Sequence, residues 1–310
     1  MSKTLGSLTV GAKIEVPVLS AYQSRFGSKF VFKIADKNHS GYPSNSVTLI
    51  TEKIIQNMAS DAKEPSNSNS DRKNYGNNRH IYSNLLQWLN SNAAAGAWYS
   101  AKHSADAPPT NANVWNNYNE YDAWAGFLAM LDPKFVAELL TTTQTVARNT
   151  VTDGGSYETV TSKMFLPSTT EVGLANENNI AEGTLLALFS NDASRVAYPT
   201  AQCVNNADGY TNSGFATSKG WYWWLRTPIS SSAHYVRRVT TDGSLLNNNA
   251  YYGYNGVRPL CNLKSEILVS YLNGENAEEQ KKRAEAVDMM KHIAAAWDID
   301  AEEVFGRADE

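Results

Sequence analysis

Residues 220–263 read GWYWWLRTPISSSAHYVRRVTTDGSLLNNNAYYGYNGVRPLCNL, two apolar anchors around a soft polar run. The anchors are residues 221–228 and 256–263. Trp221, Trp223 and Trp224 can each bury roughly 150–250 Å², and three so close together predict a core strand rather than a loop. Between the anchors stand mostly Ser, Asn, Tyr, Gly and Arg. Tyr supplies stiff amphipathic area, while Asn, Ser and Gly supply adaptable hydrogen bonding, the mixture that suits a contact surface. The candidate contact residues are Tyr235, Arg237, Arg238, Asn247, Asn248, Asn249, Tyr251, Tyr252, Tyr254 and Asn255. A plain hairpin is compatible with this, since Asn255-Gly256 is a strong turn signal. Arg226 and Arg258, inside the anchors, are expected to tie down loops by donating to backbone carbonyls.

Upstream, Leu8, Val10, Ile14, Val16 and Val18 alternate with polar or small residues, and Phe30, Phe32 and Ile34 resume the pattern after Gly27. This period of two predicts an opening strand pair. Residues 47–59 mix the helix and strand periods and read as a strand passing into a short helix. The Asn/Ser-rich stretch 61–78 reads as surface loop. In 81–90, Leu85, Leu86, Trp88 and Leu89 sit at helical spacing. Residues 91–131 hold Trp98, Trp115 and Trp124 without periodicity, an irregular insert packed by aromatics. Asp132-Pro133 starts a helix, with Asp as N-cap and Pro at the first position. Residues 150–163, with Gly154-Gly155 at their centre, read as a loop or hairpin. Ser168-Thr169-Thr170-Glu171 has the capping-box pattern, which gives Glu171 a structural task.

Beyond residue 272 the composition shifts, so the chain divides into a domain at 1–272 and a helical tail at 273–310. Ala284, Val287, Met290, Ala294 and Trp297 recur at intervals of three and four. A helix with one apolar stripe buries it on its own domain or on a partner, so attachment or homo-oligomerisation is the expected role of the tail.

The chain's 310 residues, 42% hydrophobic and 19% charged, suffice for a sizeable core. The 31 asparagines favour turns and ordered loops over long helices. A net charge of −4 without a Lys/Arg cluster excludes a nucleic-acid partner. No apolar run approaches the ~18 residues of a membrane span. The start of the chain has no apolar leader, which implies synthesis in the cytoplasm. Cys203 and Cys261 stand 58 positions apart and read as buried free thiols.

Catalytic signatures are missing: no phosphate loop, no H-E-x-x-H, no G-x-S-x-G. The five histidines include no i, i+4 pair, so a metal site would have to be assembled by folding. Residues 36–41 imitate half a calcium loop, but Val47 stands where its bidentate Glu belongs. The residues therefore suggest neither metal, cofactor nor enzyme.

The spacing of Trp223, Trp224, Leu225, Arg226 and Pro228, then Val239 and Asp242-Gly243, then Gly256, Val257, Arg258 and Pro259, resembles a bacterial and phage domain family of unassigned function. The likeness extends to LGSLTVGAKIEVPV at the start, NRHIYSNLLQWLNS at 78–91 and KMFLPSTTEVGL at 163–174. It implies an α+β, C-type-lectin-like fold with small antiparallel sheets, few helices and long ordered loops, to which the tail adds a C-terminal helix. That architecture is shared with sulfatase-modifying-factor domains and the variable proteins of diversity-generating retroelements. Formylglycine-generating enzymes of this architecture bind copper through a close cysteine pair, and here Cys261 has no such neighbour. The Glu-Pro-Asn, Gln-Pro-Asp and Trp-Asn-Asp tripeptides of calcium-dependent lectins do not occur either. The resemblance implies a phage or prophage structural protein made in the host cytoplasm and carried in the virion. Its 229–255 surface would meet a bacterial cell-surface protein or glycan, and its tail other virion proteins. A purely architectural head-decoration or tail component is the alternative.

Overall fold

A strand covered on both faces buries successive side chains, and residues 223–228 of the first anchor are all buried, Arg226 and Thr227 among them. The computed structural model describes residues 3–272 and the isolated positions Ala286, Met289, Met290 and Ile293. The described strands are Lys13–Pro17 (β1), Lys29–Lys37 (β2), Ser46–Thr51 (β3), Gln56–Asn57 (β4), Thr142–Ala147 (β5), Tyr157–Ser162 (β6), Met164–Phe165 (β7), Trp223–Pro228 (β8), Tyr235–Val239 (β9), Leu245–Asn249 (β10), Gly256–Val257 (β11) and Leu260–Lys264 (β12). One five-stranded sheet has the order β1-β2-β3-β12-β7 and a second the order β10-β9-β8-β11-β4, while β5-β6 form a separate hairpin. The described helices are short, among them Ser70–Tyr75, Asn84–Leu89 and Pro133–Glu138. The class is α+β, with small sheets, few helices and long ordered loops.

The anchors meet through a parallel pairing of Gly256 with Trp223. The second sheet is therefore mixed, which corrects the expectation of purely antiparallel sheets. After β10 the chain recrosses to the far side of β8 through residues 250–255 and arrives running in the direction of β8. Alternation along β8 sends Trp223 and Leu225 into one core with Phe189 and Leu260. Trp224 faces the other core, with Met58, Val236 and Val257. Both indoles keep a partner, Trp223 Nε1 donating to Arg195 O at 3.0 Å and Trp224 Nε1 to Met58 O at 2.8 Å, so neither burial strands a donor.

The hairpin turn lies elsewhere than Asn255-Gly256. Neither residue has a positive φ, which a type I′ turn requires at both central positions. The chain reverses instead at Asp242-Gly243, where Gly243 has φ 89° and Thr240 N–H donates to Ser244 O at 2.9 Å. Gly256 is glycine for proximity, because a Cβ there would stand 2.5 Å from the Ile54 side chain.

Arg226 and Arg258 do tie loops. Arg226 donates to Leu166 O at 3.0 Å and Glu182 O at 2.7 Å and grips both oxygens of Glu171 at 2.6 and 2.8 Å. Arg258 reaches Thr51 O at 3.1 Å and lies over the Trp223 ring. Ser168 and Glu171 exchange the reciprocal bonds of a capping box, Ser168 N–H to Glu171 Oε2 and Glu171 N–H to Ser168 Oγ, around a turn rather than a helix.

β1 and β2 pair antiparallel, with Val16 opposite Phe30, while Leu8 and Val10 fall outside the strand. Residues 47–59 hold two strands and no helix, because the second anchor and the residue before it take their backbone donors: Ile55 N–H donates to Val257 O and Met58 N–H to Asn255 O. The first strand of the β5-β6 hairpin lacked a sequence signal, but its turn contains Gly154 and Gly155, both at positive φ. Asp132 caps its helix by accepting from Lys134 N–H at 2.8 Å. The 91–131 insert has no strand and packs by rings, Trp98 stacking on Tyr121 at 5.4 Å. Both cysteines are buried and free. Seven of the eight non-glycine residues at positive φ among the described residues are asparagines, the side chain that tolerates the left-handed region best after glycine.

The largest correction concerns residues 61–78, expected as surface loop. Asp61, Glu64, Arg72, Asn77 and Asn78 are buried. Asp61 accepts from Asn77 N–H and Asn84 N–H at 3.0 Å, Arg72 pairs with Asp153 at 2.6 Å, and Asn78 Nδ2 donates to Ser232 O at 2.7 Å and Tyr235 O at 3.0 Å. Polar side chains go inside when every atom finds such a partner. The tail stripe named above lies outside the described residues except for Met290. Ala286, Met289, Met290 and Ile293 are helical with exposed side chains, an apolar set at i, i+3, i+4 and i+7.

Candidate functional site: an aromatic belt

The polar run between the anchors divides by strand alternation. In the β9-β10 register Arg237 stands opposite Asn247 and Tyr235 opposite Asn249, while Val236 faces Asn248 and Arg238 faces Leu246. Opposed residues share a face, so the ten candidates split into two groups. Tyr235, Arg237, Asn247 and Asn249 lie on one face, where Arg237 Nε donates to Glu177 at 2.6 Å. Arg238 and Asn248 lie on the other, joined by Tyr254 and Asn255: Asn248 Nδ2 donates to Tyr254 Oη at 2.9 Å and Arg238 to Asn255 Oδ1 at 2.6 Å. Arg238, Asn248 and Asn255 are buried, and the other seven candidates are half-buried.

The second face continues into a belt of rings from four separate segments. Tyr75 meets Tyr251 at 5.9 Å, Tyr251 meets Tyr252 at 5.1 Å, and Trp115 packs between Tyr252 at 5.0 Å and Tyr254 at 5.4 Å. Tyr254 then stacks on Tyr210 at 5.3 Å with 9° between planes, and Tyr118 closes edge-on against Tyr210. Beneath them Arg238 lies 4.0 Å from the Tyr222 ring centroid. Tyr75 is exposed and the other belt rings are half-buried, so each retains a contact with solvent.

The backbone under the belt is fixed. Tyr251 N–H donates to Tyr75 O, Trp115 N–H to Tyr251 O, and Asn119 Nδ2 to Gly253 O at 2.6 Å. Trp221 Nε1 holds Tyr254 O at 2.8 Å. Gly253 has to be glycine, because a Cβ would stand 2.1 Å from Tyr118 O. Burial and its tyrosine neighbours push the Tyr251 hydroxyl up to about 12, and burial also raises Tyr210. These phenols stay neutral at ordinary pH and offer stacking faces with hydroxyl donors and acceptors.

Sequence reading found Tyr251, Tyr252 and Tyr254 and missed Trp115, Tyr118, Tyr75, Tyr210 and Tyr222. The available signal was Trp115-Asn116-Asn117-Tyr118, two aromatics beside asparagines that adopt the left-handed conformation. A groove of about 710 Å³, with Gln87, Asn90, Thr141, Thr161 and Lys163 among its lining, shares no residue with the belt.

Residues 45–265 match the family described as a domain of unknown function (DUF6273). No curated protein and no solved structure matches the chain.

Proposed function

Since this chain belongs to the DUF6273 family of domains of unknown function, we propose its activity from its own surface: a non-enzymatic ligand-binding protein of a phage or prophage particle, engaging a bacterial cell-surface protein or glycan through the aromatic belt. The observation that carries the reading is the belt itself. Five of its rings, Tyr75, Trp115, Tyr118, Tyr210 and Tyr254, come from four distant stretches of chain and join the belt edge to face or, between Tyr210 and Tyr254, stacked, over a hydrogen-bonded backbone. Half-exposed Tyr and Trp on a stiff frame bind with little loss of side-chain entropy, and sugar rings or extended peptides present the faces they stack on. The C-type-lectin-like architecture and the virion location belong to the same proposal, which draws them from the WWLRTP and GVRP resemblance. Small sheets, long ordered loops and the adjacency of the two anchors support it.

The test is adsorption of the purified protein to host cells, comparing wild type with the triple variant Tyr251→Ala, Tyr252→Ala, Tyr254→Ala. A loss of at least about tenfold is expected while near-UV circular dichroism of the tryptophan core persists, because the bonds holding this loop, apart from Asn248 to Tyr254 Oη, are made by its backbone atoms. Unchanged adsorption sinks the reading. The architectural alternative is favoured by the exposed Met289, Met290 and Ile293, an apolar set suited to a subunit contact. Burial of the belt inside an assembled particle, measured by hydroxyl-radical footprinting, decides for it.

A further inference from the structure

The fold joins three residues that are far apart in sequence. Glu64 comes from the buried 61–78 segment, and His103 and Asp106 come from the aromatic insert. One ligand atom from each lies within 4.8 Å of the other two. His103 Nε2 stands 2.7 Å from Glu64 Oε1, yet this buried nitrogen makes no hydrogen bond, so the two atoms approach without N–H···O alignment. Behind them sits Asp61, also buried. Among the described residues no lysine or arginine pairs with Asp61, Glu64 or Asp106, and His103 is the basic side chain that stands against them. Three carboxylates are gathered round one imidazole, an oxygen and nitrogen donor set of the kind that shares a metal ion inside a protein.

We propose that Glu64, His103 and Asp106 bind one divalent transition-metal ion, zinc foremost, which pins the 91–131 insert to the 61–78 segment. An imidazole with two carboxylates suits zinc, whose N and O ligands stand about 2.0–2.2 Å from the ion, and disfavours calcium and magnesium, which take oxygen alone. Drawing the three ligand atoms to the ~3.3 Å edges of a tetrahedron requires only a modest movement of His103 and Asp106, both partly exposed. Binding through Nε2 places the ring proton on Nδ1 and gives up the long 3.4 Å contact from Ala105 N–H to that atom. The His103 ring keeps its orientation against Tyr82, 4.6 Å away. The same insert carries Trp115 and Tyr118, so the ion would stiffen the belt, though the site stands whether or not the belt binds a ligand.

The experiment is calorimetric titration of zinc chloride into chelator-treated full-length protein, with thermal melts beside it. One zinc per chain with Kd below about 10 µM and a raised Tm are expected, with at least tenfold weaker binding by His103→Gln and Asp106→Asn and no response to calcium or magnesium. The two variants change partly exposed residues, and near-UV circular dichroism of each metal-free variant checks that it folds. If either fails that check, histidine-selective modification by diethyl pyrocarbonate takes its place: zinc must protect His103 in the wild-type protein. Absence of stoichiometric binding overturns the proposal. Equal binding by wild type and folded variants, or no protection of His103, does so too. A Tm loss in His103→Gln that is the same with and without zinc reduces the cluster to an ion pair.

Discussion

Residues 61–78 and residues 251–254 touch each other, Tyr251 N–H donating to Tyr75 O at 3.1 Å, and they handle polar groups in opposite ways. The first puts charged and amide side chains inside and satisfies them one by one with backbone and side-chain partners. The second is held through its backbone and, at Tyr254 Oη, by Asn248, and leaves its rings half-open. A buried polar network fixes one geometry, since each member would be costly to orphan. Rings resting on a fixed backbone leave faces free for a partner. The molecule builds its frame from the first device and presents a surface with the second.

Asn78→Ala should break the frame. Asn78 Nδ2 donates to Ile229 O, Ser232 O and Tyr235 O, and its Oδ1 accepts from Asn149, so truncation removes four hydrogen bonds and leaves Ser232 O without a partner. A loss of about 4 kcal/mol in urea unfolding is expected, and a loss below ~1 kcal/mol would show that this segment is not part of the frame.

Glu182 is the next largest effect. Burial, with Glu171 adding, pushes its carboxyl up to about 7 from 4.5, against the pull of Arg226 and Thr227. A raised acid binds more protons folded than unfolded, so its contribution is full below pH 4.5 and is lost as pH rises towards 7, by roughly 3 kcal/mol. His80, which burial holds neutral down to about 3, tilts the opposite way, losing stability as pH falls below 6.5. The difference between Glu182→Gln and wild type isolates the first effect. The variant should gain relative stability between pH 4.5 and 7, and a flat difference contradicts the assignment. The belt adds nothing in this window, since Tyr251 titrates only at about 12.

Gly253→Ala sharpens the comparison at the junction. Its Cβ would collide with Tyr118 O, so about 2 kcal/mol should be lost and the Trp115 fluorescence environment should change. Tyr252→Ala is the smallest effect. It should cost less than about 1 kcal/mol because the ring is half-exposed, while weakening cell adsorption.

Elements whose signal is local were legible. The β1-β2 pair, the Asp132 cap, the burial of Trp223 and Trp224 and the carbonyl-binding arginines all follow from alternation, capping chemistry or donor geometry. The interior of 61–78 was illegible because hydropathy scores Asp61, Glu64 and Asn78 by type and says nothing of their partners. The 47–59 stretch misled for a related reason, since its strands exist to receive the second anchor, 200 positions away. Of the belt, Tyr251, Tyr252 and Tyr254 were visible beside GVRP, whereas Trp115, Tyr118 and Tyr210 join them only through long-range packing.

By itself the sequence determined which short stretches are apolar on one or both sides, that its asparagines favour turns and ordered loops, and that two rigid segments enclose an aromatic, polar run. Local sterics and burial settle those matters within a few residues. Tertiary structure alone decided that the anchors run parallel, that a polar segment lies inside, that ten candidate residues divide between two faces, and that Glu64 meets His103. Each of these depends on which distant atom completes a hydrogen bond or fills a contact, and that is a property of the assembled chain.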